Sequence, residues 1–188
     1  VSVFFLNLLI ARNFGEAGKG YISLLIYLAE LLYAISNLAL GFTSQYFIGK
    51  RLAPPRQLFS NVFVYSLGTG LIIVSLFALT HSFWAGYLQD LTLLQLLPAL
   101  FIALLLLVYE PCNQMLIALG RIGKRSAVVL SQNYLVLGSM MVLVWATSYH
   151  VNQAVWLYVG AYIIGVFLTI SFMSKAVGSP NQPSAAVF

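Results

Sequence analysis

The chain has 188 residues, of which 61% are hydrophobic and only 7% charged, with a mean hydropathy of +0.95. These values exclude a soluble globular domain and point to an all-α protein of the bilayer, where a helix satisfies its own backbone hydrogen bonds. The net charge of +5 is carried by short basic clusters between apolar runs, so it reads as topology and nucleic acid is not an expected partner.

A spanning helix needs about 20 mostly apolar residues. Polar punctuation divides the chain into six candidates, at about 1–12, 20–48, 57–80, 92–119, 126–147 and 153–174, forming one six-helix lobe over 1–175. Apolar runs recur along the whole length, which is not the pattern of a secretory signal peptide. The first candidate is short and opens at Val1 inside an apolar run, so the expectation is a piece of a longer chain.

Between the first two candidates stands LIARNFGEAGKGY, whose glycines and lysine look like a phosphate cradle. A Walker-type loop needs GxxxxGK followed by Ser or Thr, after a strand and before a helix. Here the spacing is wrong and Gly20 stands where the hydroxyl residue belongs. The segment reads instead as a helix-to-helix turn, with Gly15, Gly18 and Gly20 supplying positive φ and close approach.

In the second candidate, Ser23, Tyr27, Glu30, Ala34, Asn37, Gly41 and Ser44 fall on one helical face, with Gln45 beside it. Such a stripe either lines a cavity or packs and hydrogen-bonds against neighbouring helices. In the fourth, VYEPCNQML gathers Glu110, Pro111, Asn113 and Gln114. Pro111 is expected to kink the helix and free the carbonyl of Leu107. A carboxylate beside a freed carbonyl suits a proton or sodium site, so Glu30, Glu110 and Asn113 are the cation-coupling candidates; a purely structural role stays open. Gln132 and Asn133 of the fifth candidate lie near the same inner depth as Glu110. Cys112, alone in the chain, reads as an inert packing residue.

Lys50, Arg51 and Arg56, then Arg121, Lys124 and Arg125, then Lys175 follow alternate spans, so these ends face the cytoplasm and the N-terminus lies there too. The opposite loops hold Arg12, Glu16, Lys19, His81, Asp90 and His150. Trp84, Trp145 and Trp156 fall at that outer boundary, as an interfacial belt would. Both histidines read as isolated and solvated. With no metal-ligand cluster, nucleophile–base pair or recognisable carboxylate pair, an enzyme is not expected, nor any cofactor apart from H+ or Na+ coupling. Beyond Lys175, residues 176–188 (AVGSPNQPSAAVF) read as a polar linker or disordered tail.

The run LNLLIARNFGEAGKGYISLLIYLAELLYAISNLALGFTSQYFIGKR resembles the first two spans of the multidrug/oligosaccharidyl-lipid/polysaccharide flippase superfamily, especially its polysaccharide transport branch. ALGRIGKRSAVVLSQNYLVL is similar to the basic turn between that family's fourth and fifth spans. The resemblance implies one lobe of a two-lobed transporter with a central cavity, completed by a second lobe or a partner membrane subunit. It implies transport of a polyprenyl-diphosphate-linked oligosaccharide across the bacterial inner membrane by alternating access. It also implies that Arg12, at the position of a diphosphate-binding arginine in related peptidoglycan-precursor flippases, contacts the headgroup, with Asn37, Ser44 and Gln45 as sugar contacts. Those relatives carry further arginines in the second span, where this chain has Ala34, Ile35, Ser36 and Asn37. Two alternatives are a cation-coupled multidrug antiporter of the same superfamily and a non-transporting six-span scaffold subunit of a larger membrane complex.

Overall fold

The computed structural model describes residues 2–84, 86–88, 91–145 and 150–177, and every element among them is helical. The helices are α1 (Ser2–Ser36), α2 (Leu40–Gly49), α3 (Pro55–Leu79), α4 (His81–Trp84), α5 (Leu93–Ala118), α6 (Ile122–Trp145) and α7 (Val151–Val177). Five of them, α1, α3, α5, α6 and α7, are long and apolar enough to cross a membrane. The chain is a multi-pass helical membrane protein.

Helix α5 is the centre of the bundle. In its most apolar window 56% of the residues are buried, against a third or less in the other four long helices. A long, almost uninterrupted apolar run such as Leu96–Val108 gains most from being surrounded, and α5 is packed by α1, α2, α3 and α7. Its start is fixed by Gln95, whose side-chain oxygen accepts from the Thr92 backbone N–H at 2.9 Å and from the Thr92 hydroxyl at 3.0 Å. Small residues set its contacts with α3 and α7. A Cβ on Gly70 would come within 2.8 Å of Leu104 and 2.9 Å of Leu107.

The second expected span is not one helix. Leu38 (φ 44°) and Ala39 (φ 57°) adopt left-handed backbone, ending α1 and starting α2. Opposite this break lies Pro111, through which α5 continues as a single helix to Ala118. The departure from helical geometry thus falls on the neighbour of the proline-bearing helix.

Helix α1 is itself interrupted at Gly15 (φ 67°, ψ −174°), a conformation open essentially to glycine alone. The tryptophans Trp84, Trp145 and Trp156 are all exposed and all near this turn's end of the bundle. There the Phe101 ring lies 6.0 Å from Trp156, and a Cβ on Gly18 would lie 3.3 Å from Val151. The basic clusters occupy the other end, where Lys124 sits 5.5 Å above the Phe172 ring. His81 is not merely solvated: its Nε2 is 2.9 Å from the Leu91 carbonyl and ties the connection between α3 and α5. Asp90 lies outside the described residues, as do 178–188 of the expected tail; Ala176 and Val177 belong to α7.

Candidate functional site

The turn at Gly15 divides α1 into two arms, 2–14 and 16–36. Leu6 and Asn7 of the first arm and Ser23, Ile26, Tyr27 and Glu30 of the second line one cavity of about 250 Å³. An unbroken helix would place Asn7 about 35 Å from Glu30 at about 1.5 Å per residue, so the arms fold back on each other. Helix α6 contributes Gln132, Asn133 and Val136, and α7 contributes Tyr158 and Tyr162 four residues apart on one face.

The cavity's chemistry is amide and hydroxyl: Asn7, Gln132 and Asn133, then Ser23, Tyr27, Tyr158 and Tyr162. Among the described residues lining it, Glu30 is the one that is charged, and none is basic. Amides and hydroxyls both donate and accept, so this surface can take a neutral polyhydroxylated group; the tyrosine faces add apolar area and attraction for a cation. A larger hollow of about 390 Å³, lined by Leu9, Met141, Val142, Val144 and Trp145, is apolar and offers no such chemistry.

One glycine on α7 shapes the cavity wall. A Cβ on Gly165 would lie 3.3 Å from Tyr109 Cε2 and 3.4 Å from Gln132 Oε1, so its absence lets α5 and α6 side chains meet over α7. The Tyr109 and Tyr162 rings meet edge to face with centroids 6.2 Å apart.

The residues expected from the sequence part company here. Glu30 lies in the cavity with Ser23 and Tyr27, while Asn37, Gly41, Ser44 and Gln45 lie at or beyond the break, and of these Gly41 and Gln45 meet α5. Gln45 Nε2 donates to Gln114 Oε1 at 2.7 Å and to the Gln114 carbonyl at 3.2 Å. Ser44 is buried and its hydroxyl donates to the Leu40 carbonyl at 2.7 Å. Asn37 is half-buried at the end of α1, with its Oδ1 enclosed and unpartnered. Arg12 is exposed on the first arm, toward the tryptophan end, and is not among the cavity's lining residues. Glu110 and Asn113 lie on α5 and are not among the cavity's lining residues, although Glu110 is within electrostatic range of the lining Tyr162 as well as of Arg125.

Gln132 and Asn133, expected at the depth of Glu110, instead line the cavity with Glu30. Tyr158 and Tyr162 escaped sequence reasoning, as did Asn7. The signal for the tyrosines was their i, i+4 spacing in an otherwise aliphatic span; for Asn7 it was an amide inside an apolar run.

Comparison with protein-family models, with curated proteins and with solved structures finds no match for this chain.

Proposed function

We propose that the chain is one lobe of a flippase that moves a polyprenyl-diphosphate-linked oligosaccharide across the bacterial inner membrane by alternating access, with its basic end in the cytoplasm. In this reading the two arms of α1 belong to separate passes, giving six, the first arm covering about 20 Å of its pass, and a second lobe or a partner membrane subunit completes the central cavity. The reading rests on the resemblance of the first fifty residues, and the observation that carries it is the amide- and hydroxyl-lined hollow, open on one side, between apolar helices. A sugar headgroup crossing hydrocarbon must exchange its water for groups that both donate and accept, and this cavity supplies them. Arg12, exposed five residues beyond Asn7, is then the diphosphate contact at the outer end, since a guanidinium offers permanent charge and a planar fork of donors.

The test is transfer of a fluorescent polyprenyl-diphosphate sugar between leaflets of proteoliposomes containing the intact protein. Tyr162→Ala and Gln132→Ala are each expected to slow transfer about tenfold, as loss of about 1.4 kcal/mol of barrier-lowering contact would. Unchanged transfer in both variants would remove the cavity from the mechanism, and full transfer in Arg12→Ala would remove the diphosphate contact.

A second reading is favoured by one observation, that Glu30 is the only charged residue among the described ones lining the cavity, and stands among tyrosines. That combination suits an organic cation exchanged for a proton or sodium ion, as in the multidrug branch. Cation efflux that Glu30→Gln abolishes, with lipid transfer absent in the unaltered protein, would select it.

A further inference from the structure

A second polar cluster lies on α5 and α6, outside the Glu30 cavity. Asn113 is one turn beyond Glu110 and is 1% exposed. Neither its amide nitrogen nor its oxygen has a partner; the Tyr109 hydroxyl comes near without meeting hydrogen-bond geometry. Arg125, in the first turn of α6, is within electrostatic range of both Glu110 and Tyr109, and its Nε is buried and unpartnered. A fourth such atom is Asn37 Oδ1, next to Tyr33, which itself lies within range of Glu110. Enclosed polar groups are almost always paired with protein or with ordered water.

The chemistry of these atoms narrows what can partner them. Asn113 Nδ2 and Arg125 Nε donate; Asn113 Oδ1 and Asn37 Oδ1 accept. Because both ends of the Asn113 amide are unpartnered, flipping it leaves the count unchanged. A bare cation would satisfy only the acceptors and meet the charge of Arg125, and an anion would satisfy only the donors and meet Glu110. Water donates and accepts at once, and a buried molecule needs two to four such partners.

Between cluster and cavity stands the contact over Gly165. Gln132 and Tyr162 line the cavity, while Tyr109 adjoins Glu110 in sequence; Tyr109 and Gln132 both reach over Gly165, and the Tyr109 ring lies 6.2 Å from that of Tyr162. We propose that Glu110, Asn113 and Arg125 hold an internal water site, separated from the Glu30 cavity by Tyr109, Gln132 and Tyr162. The site does not depend on the transport reading, and its tests need no substrate.

The first test is thermal unfolding of the full chain in detergent. Asn113→Leu replaces the amide with an apolar group of similar volume. If water occupies the cluster, the substitution strips its partners and Tm falls by about 3 °C or more. If the cluster is dry, two unpartnered atoms are removed and Tm rises, which overturns the proposal. Asn113→Ser keeps a donor and an acceptor and leaves room for one more water, so its Tm stays within about 2 °C of the parent. A fall as large as that of Asn113→Leu would mean that side-chain shape, not water, is what matters. The second test is thiol labelling with a small charged methanethiosulfonate in a Cys112→Ala background. Ser23→Cys is expected to react about 100-fold faster than Asn113→Cys, and adding Gln132→Ala to the latter to narrow the gap. Equal rates, or no response to Gln132→Ala, would overturn the separation.

Discussion

The chain leaves helical geometry twice in its first fifty residues, and the two departures have different causes. At Gly15 the backbone takes φ 67°, ψ −174° with no contact within 4 Å of where a Cβ would be, so local conformation alone requires glycine. At Leu38 and Ala39 the left-handed φ of 44° and 57° falls on residues that disfavour it, and glycine comes only at position 41. There the surroundings hold the backbone: Gly41 sits against Gln114 and Pro111, and Gln45 is bonded twice to Gln114. The first break is a property of a residue, whereas the second is a property of an interface. The cavity lining divides along the same line, because the first break folds Asn7 back toward Glu30, and the second separates Glu30 from the rest of the polar stripe.

The largest expected effect tests the local break. Gly15→Val places a β-branched residue in a region essentially closed to side chains, and it is expected to cost about 3 kcal/mol of stability. Thermal unfolding in detergent would show it, together with loss of the fold-back, read as the distance between spin labels at positions 7 and 23. A variant as stable as the parent, with that distance unchanged, would mean that packing and not glycine makes the turn.

This contrast explains what could be read from the sequence. The expected spans at about 57–80, 92–119, 126–147 and 153–174 sit within a few residues of α3, α5, α6 and α7, because a long apolar run has few places to go other than through lipid. The turn was legible in its glycines, but of Gly15, Gly18 and Gly20 only Gly15 takes positive φ; Gly18 stays helical and permits close approach to Val151, and Gly20 does neither. The break at Leu38–Ala39 was not legible, since nothing in SNLAL departs from helical propensity strongly enough to predict it. The stripe from Ser23 to Ser44 was a sound helical projection whose phase is lost at the break, so of its inner members Gly41 meets α5 and none is among the cavity's lining residues. The i, i+4 spacing of Tyr158 and Tyr162 gains its meaning only when the first arm of α1, distant in sequence, lines the same cavity.

The next effect in size tests the interface. A Cβ on Gly41 would come within 2.9 Å of Gln114 Cγ and 3.5 Å of Pro111 Cα. The glutamine side chain can give way but the α5 backbone cannot, and Gly41→Val is expected to cost about 2 kcal/mol by forcing α2 away from α5. The Gln45–Gln114 pair is then stretched, so adding Gln45→Ala should cost less in this background than in the parent, as coupled neighbours do. Full additivity of the two substitutions would show that the notch and the glutamine pair act independently.

The smallest effect has the opposite sign and separates the two breaks most directly. Ala39 has φ 57° and ψ 24°, where an alanine is disfavoured by about 1 kcal/mol or more relative to right-handed backbone. Glycine relieves that cost but gives the unfolded chain about 0.4–1 kcal/mol of extra conformational freedom. Ala39→Gly should therefore be neutral or stabilising by a few tenths of a kcal/mol, a sign that no substitution at Gly15 can share. If the interface with α5 holds the break, as the Gly41 notch and the glutamine pair suggest, Ala39→Gly should also soften the penalty of Gly41→Val, because a freer joint lets α2 shift without straining Leu38. Destabilisation by Ala39→Gly of 1 kcal/mol or more would mean that the alanine methyl makes contacts worth more than the backbone strain, and that the two breaks are alike in being set by their own residues.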